Sequence, residues 1–330
     1  MQLKTVILIA LLLLSPYAAP AAVAATTSMR LLYPSFSGSW ATAWIAKEAG
    51  YFTAEGLDIE LIRVGGSTRM VAAMLGGSAP IIQAGAPAAL AANVAGSDVV
   101  IIGATGNVSP FRLMARPEIK QPADLKGKKA GITTFGSTSD QVVRIALRQF
   151  NLEPNKEVAL LTFGAQPEAF AALVNGVVQV AALSYPLYPK AAKLGMRELI
   201  RFGDLGVEDI NGTVITTRSF IGQQRDTLLR FLRAFTRGMH RYRTDRAFTV
   251  QVQQGYSGIS DRSIAEETYD VTQPGMPAIP RPVLPALKIA LDVMARKLPE
   301  AKKADAQQFV DERFISELVE GGFISLLYGK

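Results

Sequence analysis

Between residue 29 and about residue 201, short apolar runs alternate with segments patterned for helix, and this alternation constrains the fold more than any other feature of the chain. The runs at 29–33, 57–64, 80–83 and 99–104 are apolar and partly β-branched, the pattern of strands buried on both faces. Segments 40–48, 68–75 and 87–95 carry helical spacing, and each ends near a glycine, Gly50, Gly76 or Gly96, which can adopt the left-handed conformation that closes a helix. Such alternation predicts an α/β fold, a mainly parallel sheet covered by helices on both faces. Ligands of such folds bind beyond the carboxyl ends of the strands, where loops lead into helices.

The pattern breaks and then restarts. Residues 110–115 are extended and are followed by Arg116-Pro117 and a charged stretch, 118–129. Strands are then expected at 129–133, 157–162, 178–182 and 197–201, and helices at 139–150, 167–174 and 186–194. Residues 211–217 form another extended crossing segment. From Ser219 onward the pattern is nearly all helical, interrupted by the proline-rich stretch 273–285, with 283–297 again helical. Two extended segments flanking a compact α/β unit imply that the chain crosses between two lobes twice. The expected division is 26–115 plus 215–330 for lobe one and 116–214 for lobe two, with a single larger α/β domain as the competing arrangement. Lobes joined by two crossovers can close on a small ligand by hinge motion.

The first 25 residues read as a secretion signal. Lys4 supplies the positive start, and residues 6–14 form an apolar run too short to span a bilayer, which takes roughly 20 residues. Ser15, Pro16 and Pro20 break it, and the small residues 22–25 place cleavage near Ala24 or Ala25. An uncleaved anchor is the alternative. The chain has no cysteine, so disulfides, thiolate metal sites, cysteine nucleophiles and a lipidated cysteine are all excluded. Losing the signal would lower the formal charge from +7 to +6, a modest positive field that favours anionic solutes or an anionic envelope surface. Nucleic acid is not expected as a partner, because Lys and Arg are dispersed and no basic-aromatic motif accompanies them.

Candidate ligand contacts sit on the loops after strands. Ser35, Ser37, Gly38, Ser39 and Trp40 follow the first strand, Gly66, Ser67 and Thr68 the second, and Gln83 and Gly85 the third. The matching loop of the second lobe is Thr134, Phe135, Gly136, Ser137, Thr138 and Ser139. Ser184 and Tyr185 follow a later strand, and Asn211 and Thr213 lie in the second crossing segment. Hydroxyls there can cap helices while leaving nearby N–H groups for an anion or polar ligand; capping alone is the competing role for each. Arg69, Arg112 and Arg144 are either bidentate anion donors or surface arginines. Trp44, spaced with Ala41 and Ala49, reads as core, whereas Trp40 has the better claim to the cleft.

Several stretches together carry a family resemblance: Trp44-Ile-Ala-Lys-Glu-Ala-Gly-Tyr-Phe52, Glu55-Gly-Leu-Asp58, Gly65-Gly66-Ser67, Asp124-Leu-Lys-Gly-Lys-Lys129 and Phe135-Gly-Ser-Thr-Ser-Asp140. On these the chain resembles the periplasmic solute-binding proteins of ABC importers, of the nitrate, taurine and aliphatic-sulfonate type. The resemblance covers most of the chain and fades in the C-terminal helices. It implies a two-lobed, type II-like periplasmic binding protein fold, a monomer that needs no cofactor, and delivery of a small-molecule solute to a membrane permease with its cytoplasmic ATPase. A periplasmic sensor that presents its solute to a receptor is the alternative. The family fold also includes a pyrimidine-precursor synthase branch dependent on a cysteine-rich iron site, from which a cysteine-free chain departs.

Catalysis is not expected. The one histidine, His240, lies in a basic helix, no Gly-x-Ser-x-Gly elbow accompanies it, and histidine or cysteine ligands for zinc are missing. No Gly-x4-Gly-Lys-Ser/Thr loop is present. A serine hydrolase built from other acids is the remaining enzymatic alternative.

Overall fold

The computed structural model describes residues 26–106, 109–205, 211–258 and 261–329; the expected signal segment, 1–25, lies outside them. One group of strands comprises β1 (Thr27–Tyr33), β2 (Leu57–Arg63), β3 (Ile81–Ala84), β4 (Val99–Ala104) and β10 (Thr213–Thr217), in the order β2-β1-β3-β10-β4. The other comprises β5 (Arg112–Ala115), β6 (Lys129–Ile132), β7 (Ala159–Thr162), β8 (Val180–Leu183) and β9 (Arg197–Arg201), in the order β7-β6-β8-β5-β9. The two sheets follow one plan. In the first, β1 is parallel to β2 and β3, and β10 runs antiparallel to β3 and β4. In the second, β6 is parallel to β7 and β8, and β5 runs antiparallel to β8 and β9.

The antiparallel strands are the ones next to the crossovers. Chain leaving β4 enters the other sheet as β5, and chain leaving β9 returns to the first sheet as β10. Sequence reasoning put 112–115 with the first lobe and 213–214 with the second; strand pairing puts each in the opposite sheet. The reason is that both segments are short and buried, and a strand's partner is set by long-range register, which a local apolar run does not encode.

Helices cover both faces of each sheet. In the first lobe, α1 (Ala41–Glu48), α2 (Tyr51–Ala54) and α9 (Arg225–Thr244) pack on the face that carries Leu31, Ile59, Ile81 and Val214. Alternate residues Leu32, Ile82 and Ile215 face α3 (Ser67–Leu75), α4 (Ala86–Val94) and α12 (Leu284–Met294), the period-two pattern of a strand. The second sheet is sandwiched between α5 (Thr138–Gln149) on one face and α6 (Gln166–Val174) and α7 (Leu187–Lys193) on the other. The remaining helices, α8 (Arg218–Gln223), α10 (Arg246–Ser257), α11 (Arg262–Thr272), α13 (Arg313–Glu320) and α14 (Phe323–Tyr328), all follow the return to the first sheet.

Trp44 is fully buried, edge-on to Tyr33 at 5.4 Å and stacked on Tyr256 at 5.1 Å, so it is core as expected. Beside it Phe231 and Phe235 of α9 are fully buried, each contributing roughly 1.5–3 kcal/mol. Gly238 lets α9 approach α1: a β-carbon there would lie 2.7 Å from the Thr42 carbonyl oxygen and 2.9 Å from the Ala46 β-carbon. Much of the basic charge of α9 is spent locally. Arg233 and Arg237 donate to the two carboxylate oxygens of Glu55 at 3.0 and 3.1 Å, and Arg230 donates to the Glu55 carbonyl at 2.9 Å. No helix among the described residues is long and apolar enough to cross a membrane.

Candidate functional site

Loops at the carboxyl ends of β1, β2, β6 and β7 meet between the two sheets. They enclose a cleft lined from the first lobe by Pro34, Ser35, Trp40, Gly66 and Ser67, and from the second by Thr133, Ser137, Thr138, Ser139, Ala165 and Gln166. Phe111 and Asn211, on the two connections, complete it. Its free volume is ≈ 30 Å³. Ser67, Thr138 with Ser139, and Gln166 belong to the first turns of α3, α5 and α6, so three helix N-termini border one small space. Their unpaired N–H groups and helix dipoles favour negative charge there.

The second-lobe wall is a hydroxyl cluster. Thr133 Oγ1, Ser137 Oγ and Ser139 Oγ stand 2.9 Å from one another. Ser139 Oγ also accepts from the Thr133 N–H at 2.9 Å, and Ser137 Oγ donates to the Thr134 carbonyl at 2.7 Å. Ser137 is in addition the N-cap of α5, accepting from the Asp140 N–H at 3.4 Å. Thr138 Oγ1, by contrast, is buried at the cleft and has no hydrogen-bond partner among the described residues. Leaving such a hydroxyl unsatisfied costs about 1–3 kcal/mol, so it is a group that awaits a ligand or water. Gln166 is oriented by its oxygen, which accepts from the Ser184 N–H at 2.7 Å and the Ser184 hydroxyl at 2.9 Å. The amide nitrogen is left as the donor at the cleft.

The lobes are closed on one another. Thr68 donates to the Phe135 carbonyl across the seam at 2.9 Å, and Thr134 donates to Thr68 at 3.4 Å. A β-carbon at Gly65 would lie 2.7 Å from that of Ala165, and one at Gly66 2.7 Å from Thr134 Cγ2. A β-carbon at Gly85 would overlap Thr138 Oγ1. Ser67 Oγ accepts from the Gly85 N–H at 3.0 Å, which fixes two first-lobe loops to each other.

Of the residues singled out in the sequence, Ser35, Trp40, Gly66, Ser67, Ser137, Thr138, Ser139 and Asn211 line the cleft. Thr68, Gly85, Thr134 and Phe135 form the seam beside it. Gly136, at a φ of 76°, directs its N–H to Asp140 Oδ2 at 2.9 Å. Ser184 stands behind the cleft as the group that orients Gln166. Ser37 and Gly38 are buried under the first loop, with Ser37 Oγ 3.4 Å from Ser39 Oγ. Thr213 is a sheet residue whose hydroxyl donates to the Ala84 carbonyl at 2.6 Å. Gln83 is buried in β3 opposite Val214, and neither amide atom has a partner among the described residues. Pro34, Phe111, Thr133, Ala165 and Gln166 also line the cleft but were not among the candidates, although Gly164 and Pro167 frame Ala165 and Gln166 in the same strand–loop–helix arrangement as the other loops.

Ser39 and Tyr185 border a second interlobe chamber of ≈ 300 Å³, with Thr105, Arg112, Arg201 and Thr272 among its other walls. Burial and then the Glu267 carboxylate raise the Tyr185 phenol well above its usual range. Arg112 is mostly buried there, its Nη1 donating to the Phe111 carbonyl at 3.2 Å and its guanidinium over the Tyr188 ring at 5.1 Å. Arg69 lies over Gly164 at the seam, and Arg144 is buried in an ion pair with Asp140 at 2.7 Å. His240 packs edge-on against Tyr328 at 4.7 Å.

The family model described as NMT1/THI5 like matches residues 39–245. No curated protein matches the chain at a significant level. Among solved structures, a protein of Bordetella bronchiseptica RB50 superposes with a TM-score of 0.80 at 18% identity, over 92% of this chain and 98% of that one. The alkanesulfonate-binding protein SsuA of Xanthomonas axonopodis pv. citri, bound to MOPS, gives 0.74 at 18% identity, over 88% and 99%. The periplasmic nitrate-binding protein NrtA of Synechocystis PCC 6803 gives 0.75 at 12% identity, over 90% and 89%. At these identities the likeness is one of fold.

Proposed function

The chain belongs to the NMT1/THI5-like family, and from that premise we infer that it is the extracytoplasmic solute-binding component of an ABC importer. The observation that carries this is the cleft itself: two lobes of one plan close around a polar space bordered by three helix N-termini and an unsatisfied, buried Thr138 hydroxyl. That donor set suits a small anionic organic solute, a sulfonate or similar oxyanion. Its charged head would take the Thr138 and Gln166 donors and the N–H groups of α5, and its body would extend into the 300 Å³ chamber. Ser39 and Trp40, adjacent in the chain, line one space each. The folds shared with a sulfonate-binding and a nitrate-binding protein support this choice.

The rest of the role follows from the same premise: export to the periplasm, capture by a monomer through lobe closure, and release to a membrane permease powered by a cytoplasmic ATPase. Five arginines of α9, Arg225, Arg230, Arg233, Arg237 and Arg241, pair with carboxylates of the first lobe.

A thermal-melting screen with alkanesulfonates, taurine, nitrate, aromatic carboxylates and pyrimidines tests the proposal. A bound solute at a hundred times its Kd adds about 2.7 kcal/mol and raises the midpoint by several degrees. The shift is expected to shrink in Thr138→Val and Gln166→Leu. A shift of undiminished size in both variants would place the solute elsewhere.

A further inference from the structure

Another cavity, apart from the cleft and the 300 Å³ chamber, lies beside α5. It has a volume of ≈ 200 Å³ and shares only Ser137 with the cleft. Pro87 and Ala91 of α4 and Ala290 and Met294 of α12 come from the first lobe, and the opposite wall is α5 of the second lobe. Most of the lining is apolar, but three polar side chains reach it from α5, Asp140, Gln141 and Arg144, each more than nine-tenths buried; the two that carry donors are Gln141 at 5% exposure and Arg144 at 4%. Gln141 and Arg144 each carry a nitrogen that is unpartnered among the described residues, Gln141 Nε2 and Arg144 Nη2. Asp140 engages only Nε of the guanidinium, at 2.7 Å, and its other oxygen is taken by the Gly136 N–H at 2.9 Å.

We propose that this cavity binds a short-chain carboxylate, whose head group accepts from Arg144 Nη2 and Gln141 Nε2 while its apolar body packs against α4 and α12. Two buried donors without acceptors are costly in a protein interior, and one carboxylate satisfies both with charge-assisted bonds. The surrounding field has the right sign. Arg148 and Lys297 lie near Arg144, Arg296 lies near Arg148, and the carboxylates acting on this group are those of Asp140 and Glu153; burial followed by Arg144 lowers the Lys297 pKa. An apolar wall disfavours a heavily hydrated dianion such as phosphate, which leaves a monoanion with a hydrocarbon body. Because the walls come from both lobes, occupancy holds the lobes together, and by linkage it raises affinity in the cleft by the factor that a cleft solute raises affinity here.

Calorimetric titration of the full chain with hexanoate, with hexanamide as the uncharged control, tests this. Arg144 anchors a buried ion pair and its removal endangers folding, so the variants are Lys297→Met at the mouth and Val293→Trp, which fills the space from α12. Saturable hexanoate binding is expected, at least tenfold weaker for hexanamide and in Val293→Trp, several-fold weaker in Lys297→Met, and unchanged in the cleft variant Gln166→Leu. Absence of hexanoate binding, equal binding of hexanamide, or binding that survives Val293→Trp but is lost in Gln166→Leu would overturn the proposal.

Discussion

Thr138 shows how a single residue can carry a functional signal that its type does not. As the first residue of α5 it can cap, but Ser137 already does so, and its own hydroxyl is buried at the cleft without a partner. Replacing it with valine removes an unsatisfied group at nearly constant volume. Thr138→Val should therefore leave the urea midpoint of the free chain unchanged or slightly higher while weakening solute binding roughly three- to tenfold, the worth of one hydrogen bond. His240 gives a residue-scale prediction of another kind. Burial, and then the Arg243 charge, hold its pKa below the usual 6.5. The neutral ring is thus favoured in the folded state, so its contribution is complete above about pH 6.5 and is lost as pH falls through the lowered value. Urea midpoints at about pH 7.5 and about pH 5 should differ less in His240→Gln than in the unaltered chain; an equal difference would remove His240 from the account.

At the scale of elements, two glycines make separable predictions. Gly85 has φ −73° and ψ 136°, a conformation any residue adopts, and the obstacle to a β-carbon is Thr138 on the opposite lobe. Gly85→Ala should change the melting midpoint of the free chain little, its same-lobe neighbour Ser67 Oγ lying 3.3 Å from the new β-carbon, and weaken solute binding by tenfold or more, because the severe clash is with Thr138 and obstructs closure. Gly238 is the converse, since its neighbours are Thr42 and Ala46 on the same lobe. Gly238→Ala should lower stability by about 1–3 kcal/mol, partly offset by the better helix propensity of alanine, with little effect on affinity measured well below the melting midpoint. Element identity was largely legible in the sequence because apolar period and glycine stops are local properties. The sheet membership of β5 and β10 was not. Leu113, Met114 and Val214 are fully buried whichever sheet accepts them, so burial pattern could not distinguish the lobes.

For the whole molecule, two sheets of identical plan, each receiving an antiparallel strand from a crossover, place their ligand loops face to face. The loops after the first, second and sixth strands were readable as sites because glycine, serine and threonine cluster before helices there. Gln166 was not, since an amide gains its role only from Ser184, eighteen residues away in sequence and adjacent in space. Arg144 illustrates the same limit, because neither its buried ion pair nor the cavity beside it is visible until α5 meets α4 and α12. The central claim is that the lobes open and close on a solute. The chain contains no cysteine, so labels at Ala72→Cys on α3 and Glu168→Cys on α6 attach to those positions alone. Pulsed electron-spin distance measurement between them, without solute and with each member of the melting screen, tests closure directly. The account predicts a longer-distance population in the free chain that converts to the shorter one with the solute that raises the melting midpoint. A single distance, unmoved by a solute that does raise the midpoint, would contradict it.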